Sequence, residues 1–175
     1  MRTLTAIPSV VLLICLFLPA QRVCGDPTSP IRFPECYAAY VSGLGVLVMA
    51  IARSRRAVEI GAAIPIVLAI ATVGTIVAIV IDGPGSIAIL IATLALVIAA
   101  IRAIALAQLS ERVLAIIAAL QGLASAIWSA VLVADKDAMY GASVSLAAAL
   151  VLTVTSMAWL GGIEVEPPVP RAVAR

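Results

Sequence analysis

Three cysteines are the residues best suited to covalent chemistry, and two of them share one loop. Cys24 and Cys36 lie twelve residues apart in a segment that also holds Pro27, Pro30 and Pro34, whose rings oppose regular helix. This spacing is neither CxxC nor a zinc-type pattern. We predict a structural disulfide between Cys24 and Cys36 in an oxidising, extracytoplasmic compartment. A redox pair is the alternative, and two free thiols are the third state.

Glu59 and Arg102 are the two ionisable residues that lie inside apolar runs. Charged groups in a membrane are costly and are therefore candidates for function. A Gly83-Pro84-Gly85 turn makes the two runs antiparallel neighbours, which brings both side chains to the same membrane surface. We predict an ion pair there. The alternative is a Glu59 carboxylate that couples transport to protons or substrate, but such groups are expected near the midplane.

A group of hydroxyl and amide side chains lies deep in the last two apolar runs. Such groups can line a conducting path, although most of them bond across helices or to their own backbone. A conducting path has a denser polar lining. We therefore predict a packing role for this polar cluster, which comprises Gln121, Ser125, Ser129, Thr153, Thr155 and Ser156.

Small residues recur at four-residue spacing in the same two runs, as Ala118, Gly122, Ala126 and Ala130 and then as Gly141, Ser145, Ala149 and Thr153. This spacing places each set on one helix face. Small faces let helices approach closely in lipid. We predict that the two stripes pack the last two helices together.

The composition excludes several classes of function. The chain has no histidine, so histidine bases, histidine metal ligands and Ser-His hydrolases are ruled out within it. It contains neither a Walker A phosphate loop nor a GxGxxG fingerprint. A net charge of +2 from scattered residues gives no support for nucleic-acid binding. We expect no enzyme activity and no cofactor.

The elements that position these residues are apolar runs of membrane-spanning length. Of the 175 residues, 64% are hydrophobic and 11% are charged, far from the composition of soluble domains. We predict an all-α transmembrane bundle of six spans in three hairpins, followed by a cytoplasmic, proline-containing, disordered tail at 164–175. The predicted spans are 4–20, 34–52, 57–81, 86–109, 113–134 and 142–163.

The first run also resembles a secretory signal peptide, because a basic Arg2 precedes a short apolar core. Val23-Cys24-Gly25 would be its cleavage site. Gln21 and Arg22 fit such a site poorly, so we predict that the run is retained. Cleavage would leave five spans.

The distribution of basic residues predicts the orientation, since cytoplasmic loops are enriched in arginine and lysine. With both termini in the cytoplasm, the inner segments hold Arg2, Arg53, Arg55, Arg56, Arg102, Arg112, Arg171 and Arg175. The outer segments hold Arg22, Arg32 and Lys136. The excess of arginine over lysine is typical of GC-rich bacterial genomes, so we predict a bacterial cytoplasmic membrane.

The sequence alone thus indicates a small multi-pass membrane protein without a catalytic site, such as an accessory or scaffold component. Its expected partners are the lipid bilayer and either another copy of itself or a different membrane protein. An oligomeric small-solute transporter or channel is the first alternative. A membrane thiol-redox protein that uses Cys24 and Cys36 is the second.

Overall fold

The computed structural model describes residues 2–32, 37–81, 84–106 and 109–164. Their helices are α1 (Ala6–Cys15), α2 (Tyr37–Ile51), α3 (Arg55–Val80), α4 (Pro84–Leu106), α5 (Glu111–Ala134) and α6 (Tyr140–Glu164). Single 3-10 turns at Arg2–Thr5 and Pro30–Arg32 precede α1 and α2. The predicted all-α class is confirmed. The predicted tail, apart from Glu164, lies outside the described residues.

Four of these helices, α3 to α6, are long and apolar enough to cross a membrane, whereas α1 and α2 are shorter. Two of the long helices begin at serine caps. The Ser54 hydroxyl accepts from the Ala57 amide at the start of α3, and the Ser110 hydroxyl accepts from the Val113 amide at the start of α5. Each cap satisfies one of the amides that a helix N-terminus leaves unpaired.

A small β-hairpin replaces the irregular loop that the prolines predict. β1 (Gln21–Val23) pairs antiparallel with β2 (Asp26–Thr28). The connecting residues Cys24 and Gly25 have φ angles of +53° and +91°. Positive φ at both central residues is typical of the tight type I′ turn, whose twist matches that of a hairpin.

This hairpin is bonded to the connection between α5 and α6. The Arg22 amide donates to the Asp137 carbonyl at 2.9 Å, and the Met139 amide donates to the Ala20 carbonyl at 2.8 Å. The opposite end of α5 is tied to the chain start, since an Arg2 guanidinium nitrogen lies 3.2 Å from a Glu111 carboxylate oxygen. The segment from Arg2 to Ala20 therefore runs the full length of α5.

The core lies between α1, α2, α5 and α6. Helix α1 packs on α2 and α6, α5 packs most extensively on α6, and α2 also contacts α5. Leu12, Cys15, Tyr40, Met49 and Leu152 are almost fully buried there. Helix α3 packs on α2, and α4 packs on α3. This leaves α3 and α4 at the periphery, with most of their apolar side chains exposed, as expected of surfaces that face lipid.

Small residues mark the closest helix contacts. A Cβ atom added to Gly122 of α5 would lie 2.7 Å from the Thr153 hydroxyl oxygen of α6. A Cβ added to Gly61 of α3 would lie 2.8 Å from the Gly45 carbonyl oxygen of α2. Both crossings need glycine for steric reasons.

The structure buries most of the two predicted small-residue stripes. Ala118, Gly122 and Ala126 are buried on α5, and Gly141, Ser145 and Ala149 are buried on α6. The α5 stripe departs from the prediction at its C-terminal end, where Ala130 is exposed. Thr153 is half-buried and lies against Gly122 at the α5–α6 crossing.

Candidate functional site

A polar contact between buried side chains joins α5 to α2. The Gln121 side-chain nitrogen donates to the Ser125 hydroxyl oxygen at 2.9 Å, and that hydroxyl donates to the Ala39 carbonyl of α2 at 2.7 Å. Gln121 is 9% exposed and Ser125 is fully buried. The two side chains therefore form a hydrogen-bonded link between helices, because Ser125 can accept from one group while it donates to the other.

The other members of the predicted polar cluster do not join this link. The Thr153 hydroxyl donates to the Ala149 carbonyl at 2.9 Å, and the Thr155 hydroxyl donates to the Val151 carbonyl at 2.9 Å. Both bonds lie within α6. Ser129 and Ser156 are buried, and the Ser156 hydroxyl has no hydrogen-bond partner among the described residues.

A cavity of about 290 Å³ lies beside the Gln121–Ser125 link, between α2, α3 and α5. Thr72, Gln121 and Trp128 are the lining residues that carry polar side-chain atoms, and the rest of the lining is aliphatic or proline. Gln121 makes one side-chain hydrogen bond within the described chain, so its amide oxygen is left for a further partner. Binding cavities combine an apolar wall with a few polar groups in this way.

Glu59 pairs with Arg55 and not with Arg102, which corrects the predicted ion pair. The Arg55 Nε atom lies 2.8 Å from a Glu59 carboxylate oxygen, four residues along α3. Arg102 is exposed on α4 and forms no ion pair with any described residue. The physical reason is proximity, since residues at i and i+4 are neighbours on one helix surface.

Arg2 makes more side-chain hydrogen bonds than any other arginine that the structure describes. Its Nε atom donates to the Met49 carbonyl at 2.7 Å, and its Nη2 atom donates to the Ala52 carbonyl at 2.9 Å. Its Nη1 atom donates to Glu111 at 3.2 Å. Positive charge at unpaired carbonyls stabilises a helix C-terminus. Arg2 therefore joins the chain start to the end of α2 and to the start of α5.

A second cavity, of about 420 Å³, opens beside Arg2. Its charged lining consists of Arg2, Arg53, Arg55, Glu59 and Glu111. This site is not apparent in the sequence, because its residues come from three distant segments. The one local signal was the concentration of arginines in the segments assigned to the inner surface.

Cys24 lies at the tip of the β-hairpin, where it is exposed and is not bonded to the other described cysteine, Cys15. Cys36 lies outside the described residues, so the Cys24–Cys36 disulfide stays a prediction. The described part of the chain holds no group of three His, Cys, Asp or Glu side chains that could bind a metal ion.

Comparison with known proteins gives no relative. No protein-family model, no curated protein sequence and no solved structure matches this chain.

Proposed function

We propose that this chain is a non-catalytic, multi-pass membrane protein that acts as an accessory or scaffold component. The observation that carries the proposal is the Gln121–Ser125–Ala39 link, in which buried polar groups hold two helices together. The hydroxyl groups of Thr153 and Thr155 are also satisfied within the protein, because each donates to a backbone carbonyl of α6. In lipid, such bonds support helix packing. They do not form the continuous polar lining that conduction needs.

The proposed topology has six membrane segments in three hairpins, with both termini in a bacterial cytoplasm. What supports a crossing by the first of these segments is that Arg2 and Ala20 contact opposite ends of the region spanned by α5, a helix long enough to cross a membrane. Helix α1 alone is short of the roughly 30 Å of a hydrocarbon core. The non-helical residues 16–20 complete the crossing while packed against protein, where irregular backbone is tolerated.

The proposed topology includes α1 in the mature protein. What supports this is that Leu12 and Cys15 are fully buried against neighbouring helices. Cleavage after the first twenty-odd residues would expose that part of the core. Mass measurement of the mature chain tests this directly, because cleavage would remove the mass of the first twenty-odd residues. The cleaved form would have five segments.

Thiol labelling tests the orientation. Single cysteines replace Ser54 or Lys136 in a variant that lacks the three native cysteines. Because the two positions lie at opposite ends of the bundle, an impermeant reagent on intact cells should label position 136 and not position 54. Labelling at 54 alone would reverse the orientation, and equal labelling at both would refute the membrane crossing between them.

A transporter or channel is the second candidate function. The cavity of about 290 Å³ beside Gln121 is the observation that favours it. Solute flux into liposomes that contain the purified protein, lost in Gln121→Leu, would replace the scaffold proposal with this one. Under the scaffold proposal, neither the unmodified protein nor Gln121→Leu gives flux. The chain then purifies from native membranes in a stoichiometric complex with a second protein or with itself.

A thiol-redox function requires Cys24 and Cys36 to react as a pair. The exposed hairpin tip makes the Cys24 thiol accessible. A mass map of the unreduced protein should find the predicted disulfide, and a Cys24→Ser/Cys36→Ser variant that keeps its function would make that bond structural. Two free thiols in protein from an oxidising compartment would remove both the disulfide and the redox candidate.

A further inference from the structure

The cavity of about 420 Å³ beside Arg2 lies where α2 ends and where α3 and α5 begin. Arg2, Arg53 and Arg55 line it. Guanidinium groups have five N–H donors in a fixed planar arrangement that matches phosphate oxygens. Each of the three guanidinium nitrogens of Arg2 already donates one hydrogen bond within the protein, so Arg53 and Arg55 supply most of the remaining donors. The three positive charges around one cavity make a phosphate group the ligand of best chemical fit.

The two carboxylates of the cavity are already paired. Glu111 is bonded to Arg2, and Glu59 is bonded to Arg55. Arg55 makes its bond to Glu59 through Nε, which leaves both of its Nη groups as donors. Arg53 is exposed and forms no ion pair within the described residues. The carboxylates therefore orient two arginines, and the third stays unneutralised.

One side of the same cavity is apolar. Val58, Leu109 and Leu114 line it beside the arginines. Ile60 is 62% exposed on α3, and further exposed apolar side chains follow in the second half of that helix, including Val73 and Ile76. A free phosphate ion would use the arginines alone. A lipid would use both the charged and the apolar parts.

We propose that this cavity binds the headgroup phosphate of an anionic glycerophospholipid, whose acyl chains lie along the exposed surface of α3. Basic pockets between transmembrane helices at the cytoplasmic surface bind anionic headgroups for this reason. The proposal rests on the membrane insertion of α3 and α5 in the proposed function, but it is independent of whether the protein is a scaffold or a transporter. Retention in the membrane fraction after carbonate extraction tests insertion separately.

The experiment compares lipids on the purified, delipidated full-length chain in a neutral detergent. Phosphatidylglycerol, phosphatidylcholine and soluble glycerol phosphate are each titrated, and bound lipid is counted by native mass spectrometry. We expect one phosphatidylglycerol to bind tightly. We expect Arg53→Gln to weaken its apparent affinity about fivefold, the usual effect of one arginine near an anionic surface. Added salt should weaken it further.

Arg56→Gln is the matched control. Arg56 carries the same charge three residues further on, at the same end of the bundle, but it does not line the cavity. If the cavity is a specific site, Arg53→Gln should lower the affinity for phosphatidylglycerol and Arg56→Gln should change it little. Equal losses of affinity in the two variants would indicate a diffuse positive surface and would overturn the proposal. Equal affinity for phosphatidylcholine would also overturn it. Glycerol phosphate that binds as tightly as phosphatidylglycerol would make the ligand a free phosphate.

Discussion

Ser125→Ala should destabilise the bundle more than any other single-hydroxyl deletion in α5. Ser125 is fully buried and makes two hydrogen bonds, one to Gln121 at 2.9 Å and one to the Ala39 carbonyl at 2.7 Å. The bond between helices contributes about 0.6 kcal/mol on average and at most about 1.7 kcal/mol in a membrane protein. The unpaired Gln121 amide adds a cost of about 1–3 kcal/mol. We expect a total loss of about 2 kcal/mol.

The measurement is the free energy of unfolding in mixed micelles, by titration with a denaturing detergent. Ser129→Ala is the control, because Ser129 lies one turn further along α5 and is 1% exposed. The structure gives it no hydrogen bond to another helix among the described residues. We expect this control to lose less than about 0.5 kcal/mol, the range of a substitution that breaks no network.

The double variant Ser125→Ala/Gln121→Leu separates the two contributions. Since Gln121→Leu removes the amide that Ser125→Ala leaves unpaired, the double variant should lose less than the sum of the single losses, by about 1 kcal/mol. A Ser125→Ala variant as stable as Ser129→Ala, or strictly additive losses, would refute the assignment of this link as the polar contact between α5 and α2.

Two further predictions concern the α5–α6 crossing at Gly122 and the ion pair of Glu59. Gly122→Ala should lose about 1–3 kcal/mol of unfolding free energy, because its Cβ would lie 2.8 Å from the Thr153 backbone nitrogen. Gly161→Ala should be neutral or stabilising, since no atom of another described segment lies within 4 Å of that Cβ, and equal losses would contradict the crossing. Glu59→Gln should lose less than about 0.5 kcal/mol, as expected of an exposed i,i+4 pair. A double-mutant cycle should show no coupling between Glu59 and Arg102. A coupling above about 1 kcal/mol would instead support the Glu59–Arg102 ion pair predicted from the sequence.

The identity and approximate extent of the long helices follow from local sequence. Apolar runs of membrane-spanning length must form helices in lipid, because every backbone group needs a partner within its own segment. Ser54 and Ser110 mark the starts of α3 and α5, as a capping residue before an apolar run predicts. The absence of histidine likewise excludes whole classes of chemistry without any structure. These conclusions need no knowledge of which helix lies beside which.

The polar partners divide into local and distant ones. The Arg55–Glu59 pair could have been read from its i,i+4 spacing, whereas the hairpin argument pointed to Arg102 instead. The pairing of Arg2 with Glu111 joins residues that are 109 positions apart. The hairpin at residues 21–28 was hidden because Cys24 is an uncommon residue for a turn that requires positive φ.

The sequence by itself determined the apolar character of the long helices and the positions of their small-residue faces, because hydropathy and helix periodicity are local properties. Only the tertiary structure decided the neighbours. These helices are apolar on nearly all sides, so no single stripe identifies the buried face. Close packing at Gly61 and Gly122 fixes the helix positions. Those positions bring Arg2 to the same cavity as Arg53 and Arg55, about fifty residues further along the chain.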